Sequence, residues 1–142
     1  MKYSKRILLI ITLLYACVSQ ALAEEITLFN SDGMATAYID TEDSMTIFLW
    51  SGKPVAYLEK GSVWGFNGEH LGWFSKGIIK DHDGYVAGCI KDSIAMVYKL
   101  EPLKGIKKLV PLKSLKKLEP LAPLDKNKWS VTPLSLFLAA GD

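Results

Sequence analysis

Cysteine is nearly missing from this chain. Two occur in 142 residues, Cys17 and Cys89, too few for a disulfide framework. Histidine is as scarce, with His70 and His82 alone. No Cys and His spacing matches a zinc site, no glycine-rich phosphate loop is present, and Ser, His and Asp do not stand in a nucleophile pattern. The reading therefore carries no cofactor and no metal. An excess of one charge is missing too, since 17 Lys and Arg face 15 Asp and Glu. The export signal described next and the acidic body of residues 24–98 argue against a nucleic-acid partner, which the Lys-rich tail alone would suggest.

What is present begins with a processing signal. "MKYSKR" carries Lys2, Lys5 and Arg6, "ILLIITLLYACV" follows from Ile7 to Val18, and "ALA" stands at 21 to 23. A basic n-region, a short apolar run and small residues before Glu24 are the parts of a secretory signal peptide. The run is shorter than the roughly 20 residues of a membrane span. Residues 1–23 are thus read as a signal peptide, with the mature chain in the bacterial periplasm or secreted. A lipoprotein modified at Cys17 and an uncleaved anchor are the alternatives. One cysteine then remains, Cys89, read as a small buried hydrophobe.

An internal repeat sets the fold class. Turn glycines stand at 33, 52, 68 and 84, in steps of 19, 16 and 16 residues, preceded by Asp32, Ser51, Asn67 and Asp83. Dipeptides of this kind mark hairpins, and Asn-Gly in particular suits a two-residue type I′ turn. Five residues before each glycine stand Leu28, Ile47, Val63 and Ile79; four after it, Ala37, Ala56, Gly72 and Gly88; six after it, Ile39, Leu58, Phe74 and Ile90. Side chains alternate along a strand, so these columns share one face. A tiny residue in every copy means close approach of something to the backbone. A single hairpin is marginal in water, whereas four pairing edge to edge can bury one core.

The other face is aromatic. Phe29 and Tyr38 belong to the first hairpin, Phe48, Trp50 and Tyr57 to the second, Trp64, Phe66 and Trp73 to the third, and Lys80, His82 and Tyr85 to the fourth. The stretches "AYI", "TIFLWSGKPVAYL", "SVWGFNGEHLGWF" and "DHDGYVAG" together resemble the four-fold β-flower family. The resemblance implies an all-β, shallow four-fold assembly of hairpins over 24–99. It transfers no activity, and its likeness to tubby-like C-terminal domains is architectural.

From Leu100 the texture changes. "LEPLKGIKK", "LVPLKSLKK" and "LEPLAPLDK" are three nine-residue copies, with an aliphatic residue at every third position from Leu100 to Leu124. Period three with repeated proline fits an extended, polyproline-like chain and excludes a long helix. Residues 24–98 hold five Lys and eleven acids, net −6, while 99–128 hold nine Lys and three acids, net +6. The expectation is that tail 100–126 wraps the barrel and packs its Leu stripe on the rings, a free linker being the alternative. Residues 127–142 are read as a short helical segment with Thr132 as its cap and Pro133 at its first position.

The only acid–base cluster is Asp81-His82-Asp83. Asp81 and His82 alternate across a strand, and His70 is expected on the opposite face from His82. The reading is therefore a non-enzymatic binding or interaction module. Phe48, Trp50, Tyr57, Trp64, Phe66, Trp73 and His82 are its candidate ligand-binding residues. An apolar ligand, a lipid, a membrane surface or a protein chain is the partner. The alternative is an enzyme centred on His82 and Asp83.

Overall fold

The computed structural model describes residues 24–142. The signal peptide over residues 1–23 and the lipoprotein alternative at Cys17 lie outside them. Eight antiparallel strands close into a barrel in chain order. They are β1 (Glu25–Phe29), β2 (Ala35–Asp40), β3 (Thr46–Leu49), β4 (Pro54–Glu59), β5 (Ser62–Gly65), β6 (His70–Ser75), β7 (Ile78–Lys80) and β8 (Val86–Cys89). Each expected hairpin is a pair: β1–β2, β3–β4, β5–β6 and β7–β8.

The aliphatic and tiny columns line the interior as their spacing requires. Leu28, Ile47, Val63 and Ile79 are wholly buried together with Ala37 and Ala56. What approaches the tiny column is partly a neighbouring strand and partly a plug. A Cβ on Gly72 would stand 2.1 Å from Lys80 O and 3.0 Å from Phe137 Cζ, and one on Gly88 would stand 2.8 Å from Leu134 Cδ1. Leu134 and Phe137 lie on helix α1 (Leu134–Ala139), which with Leu138 completes the core. Thr132 does not cap α1. Pro133 occupies that position, and its ring carries no acceptor, so no side chain caps the helix.

The turns correct the type I′ expectation. Gly33, Gly52, Gly68 and Gly84 have positive φ, but Asp32, Ser51, Asn67 and Asp83 do not. Gly33 N–H donates to Asn30 O and Asn30 N–H to Met34 O, and the same pair of bonds recurs at Leu49, Gly65 and Asp81. These are three-residue loops closed by one left-handed glycine. Positive φ at both central residues is found instead at Lys60-Gly61 and Lys76-Gly77, which join one hairpin to the next.

Each hairpin also carries a bulge three residues past its turn glycine. The register skips Thr36, Val55, Leu71 and Ala87. The extra residue breaks strict alternation and increases twist. It turns Val55, Leu71 and Ala87 into the core, and leaves the residue before each of them on the outer face. This is why His70 stands on the same side as His82, against the expectation from simple alternation.

The barrel closes through a narrow seam, Phe29 against Cys89. Tyr98 stacks edge-on to Phe29 at 4.8 Å and its hydroxyl lies 3.8 Å from Cys89 Sγ. Cys89 is buried and unpaired, and burial pushes its thiol pKa up.

The four turn glycines face a second constraint. A Cβ on Gly33, Gly52, Gly68 or Gly84 would fall 2.0 to 2.2 Å from the carbonyl oxygens of Val97, Ile106, Leu115 and Leu124 in turn. Gly61 has the same positive φ and meets nothing nearer than 3.7 Å. Gly61→Ala is therefore expected to cost only the left-handed backbone term, about 1–2 kcal/mol. Gly68→Ala should cost visibly more and loosen the tail. Thermal unfolding of the two variants side by side checks this; equal losses would contradict it.

Candidate functional site

The outer face of the barrel is where the candidate residues gather, and the tail lies on it. Residues 99–126 form neither helix nor strand. They are fastened by one repeated bond: Lys99, Lys108, Lys117 and Lys126 donate their backbone N–H to Gly33, Gly52, Gly68 and Gly84 O at 2.8 to 3.0 Å. Nine residues of tail span one hairpin repeat. Gly105 and Ser114 add N–H bonds to Trp50 O and Phe66 O.

Side chains at every third tail position point inward, but they are not the leucines. Lys104 sits over Tyr38 and Trp50, Lys107 over Tyr38 and Phe48, Lys113 over Tyr57, and Lys116 over Trp64. Val110 packs on Tyr57, Trp64 and Phe66. An ammonium over a ring is attracted by the ring's negative face, and the lysine stem covers apolar surface. Lys107 also bridges Glu25 at 2.7 Å and Asp40 at 2.5 Å, while Lys104 pairs with Glu25, Lys116 with Glu59 and Lys117 with Glu69. Hydrogen bonds from Lys104 and Lys107 hold the Glu25 carboxyl below its ordinary pKa. Burial opposes ionisation of both Asp40 and Lys107, yet their mutual bond lowers the one and raises the other.

The expected packing of the Leu stripe on the rings is thus overturned. The period of three holds, but its faces are reversed. Leu100, Leu103, Ile106, Leu109, Leu112, Leu115, Leu118, Leu121 and Leu124 are 89–98% exposed. The reason is the rings and the acids beside them, which give lysine a better inner contact than leucine has.

The candidate ligand face is correspondingly closed. Phe48, Tyr57, Trp64 and Phe66 are buried. Trp50 is half-buried and donates its Nε1–H to Pro102 O. Trp73 is half-buried and donates to Glu119. Only His82 among the seven is exposed. Trp50, Phe66 and His82 all occupy the first loop position of their turns.

His82 does not meet Asp83 in a catalytic arrangement. Its Nε2 lies 2.9 Å from His70 Nδ1, with the two rings stacked. Asp81 uses its carboxylate on the backbone N–H groups of Asp83 and Tyr85, the Asx geometry that shapes such turns. His70 Nε2 is buried without a hydrogen bond, 3.7 Å from Glu119. Glu119 accepts from Ser62 and Trp73. No group of three His, Cys, Asp or Glu side chains among the described residues could hold a metal. The network joins barrel to tail; sequence reading missed it because the bulge at Leu71 reverses His70.

A four-hairpin barrel belted by its own lysine-bearing tail defines the class. The family model described as "4-fold beta flower protein" matches residues 26–138, and the chain belongs to that family. The match covers barrel, tail and α1 together. Searches among curated proteins and among solved structures gave no match.

Burial depresses the pKa of His70, the neighbouring His82 acts in the same direction, and Glu119 opposes them. An unfolded histidine titrates near 6.5. The folded chain therefore binds fewer protons, and its stability is complete above about pH 6.5 and lost as pH falls from there toward the depressed folded value. The melting temperature should drop between pH 7.5 and 5.0, and drop less in His70→Phe. An equal drop in both proteins would contradict the assignment.

Proposed function

We propose that the chain is an exported, non-enzymatic interaction module that docks on an anionic membrane surface through its tail. The observation that carries this reading is the exposed run of nine aliphatic side chains from Leu100 to Leu124. Monomeric soluble proteins rarely leave large apolar patches in water. These side chains stand on a backbone bonded to all four hairpins, so exposing them is a property of the docked tail and not of a loose end.

Their neighbours suit a charged interface. Lys99 and Lys108 follow the same backbone as Leu100 and Leu109 and make no ion pair within 4 Å among the described residues. Aliphatic residues interleaved with lysine favour anionic headgroups, with roughly 1 kcal/mol per basic residue near the surface. Inserting a Leu adds up to about 1.5–3 kcal/mol at full burial. No described helix is long and apolar enough to cross a membrane, so the contact proposed is with the interface. The aromatic face, covered by lysines, is not the docking surface in this reading. Against an enzyme centred on His82 and Asp83 stands the engagement of its groups elsewhere: His82 Nε2 lies 2.9 Å from His70 and the Asp81 carboxylate is held by turn amides, although both histidines line a cavity with Glu69, Asp83 and Thr132.

Flotation of the chain with phosphatidylglycerol-containing vesicles tests the proposal. The full mature protein should float with them and float less with pure phosphatidylcholine. Leu109→Ser/Leu112→Ser/Leu115→Ser should abolish flotation while leaving the melting temperature nearly unchanged. Absence of flotation, or a dimer dissolved by the triple substitution, would overturn it.

A further inference from the structure

The tail's three copies are not equivalent, and the third leaves a cavity. In the first two, the fifth residue is a lysine over a ring: Lys104 on Tyr38, Lys113 on Tyr57. The corresponding ring of the third hairpin is Trp73, but the tail residue there is Ala122. The sixth residue donates its N–H to the barrel in copies one and two; in copy three it is Pro123, which has none. The eighth residue is Lys107 or Lys116, each paired with the barrel acid Asp40 or Glu59. In copy three it is Asp125, and the barrel position that matches Asp40 and Glu59 is Ser75. The barrel also changes, with Lys80 where Phe48 and Trp64 stand in the earlier hairpins.

Three devices that seal the tail are therefore missing together. The result is an open-mouthed cavity of about 520 Å³ whose lining includes the polar Ser75, Lys80, Asp125 and Asn127 and the apolar Trp73, Phe74, Ile78, Ala122 and Pro123. Lys80 is fixed by a 2.9 Å bond to Lys126 O, and Trp73 by Glu119. Asp125 makes no ion pair within 4 Å among the described residues.

We propose that this cavity binds a saccharide, with one face of a sugar ring against the Trp73 indole and its hydroxyls bonded to Asp125, Asn127 and Lys80. The lining chooses the ligand class. A cation over Trp73 would meet Lys80 and the nearby Lys76. An anion would meet Asp125. An acyl chain would cover the Asp125 carboxylate and the Asn127 amide without offering either a partner, at about 1–3 kcal/mol each. A sugar ring has apolar C–H faces and hydroxyls that both donate and accept, which fits one aromatic wall with mixed polar groups around it. The volume suits one or two rings. No leucine of the docking run lines this cavity, so either proposal can fail alone.

The test restores the repeat. Ala122 is exposed, so Ala122→Lys should fold and lay a lysine over Trp73 as in the first two copies. Isothermal titration calorimetry of the full mature chain would be run with glucose, N-acetylglucosamine, maltose, galactose and, as a cationic control, putrescine. At least one of the four saccharides should bind, shifting the Trp73 indole N–H resonance. Ala122→Lys and, independently, Asp125→Lys should weaken it by roughly tenfold or more, whereas Leu112→Ser should leave it unchanged. No saccharide binding up to about 50 mM, binding of putrescine alone, or undiminished affinity in both cavity variants would overturn the proposal.

Discussion

One backbone hydrogen bond, made four times, organises this molecule. A tail N–H reaches the carbonyl of each turn glycine, from Lys99, Lys108, Lys117 and Lys126 in turn. Because the tail donors are nine residues apart and the hairpins recur every 16 to 19, two unrelated periods are locked into one register. The bond explains why the turns must end in glycine on two counts. The loop needs a left-handed residue, and the tail carbonyls of Val97, Ile106, Leu115 and Leu124 occupy the space a Cβ would take.

Once the backbone is held, the side chains sort by what the outer face offers. That face carries rings and carboxylates within reach of one lysine, as Lys107 over Tyr38 reaches Glu25 and Asp40 and Lys116 over Trp64 reaches Glu59. A lysine meets both needs at once, its stem covering the ring and its ammonium answering the acid. A leucine would leave the acids without partners. The leucines are consequently turned to solvent, and the apolar surface that folding hides on the barrel is presented again on the tail. The third copy, with Ala122 and Asp125, shows what happens when the lysines are withdrawn: a cavity remains over Trp73.

Much of the barrel was legible because its signals are local. The turn glycines and the columns at Leu28, Ala37 and Ile39 follow from alternation and turn chemistry alone, and the structure places them as expected. Alternation failed where the bulges fall. Leu71 and its equivalents enter the core out of phase, which moved His70 to the outer face beside His82. The Asn-Gly signal at Asn67-Gly68 pointed to the right turn but the wrong type, since glycine alone takes positive φ. The tail's period was readable and its orientation was not. A stripe of leucine draws attention as the buried one, whereas the lysine columns at 104 and 113 and at 107 and 116 carried the contact signal. Only the arrangement of Tyr38, Tyr57 and Trp64 in space reveals it. The withdrawn columns at Ala122 and Asp125 were equally visible as letters, but without a register between tail and hairpins they had no meaning.

The central claim is that the tail is bonded to the barrel at every ninth amide from Lys99, with further bonds at Gly105 and Ser114. Hydrogen exchange resolved at single amides tests it most directly, since protection reports local opening bond by bond. The account predicts slowed exchange at Lys99, Lys108, Lys117 and Lys126, with Gly105 and Ser114 slowed between them, while Leu109 and Leu118 exchange freely. Uniformly fast exchange from Lys99 to Lys126 would contradict it.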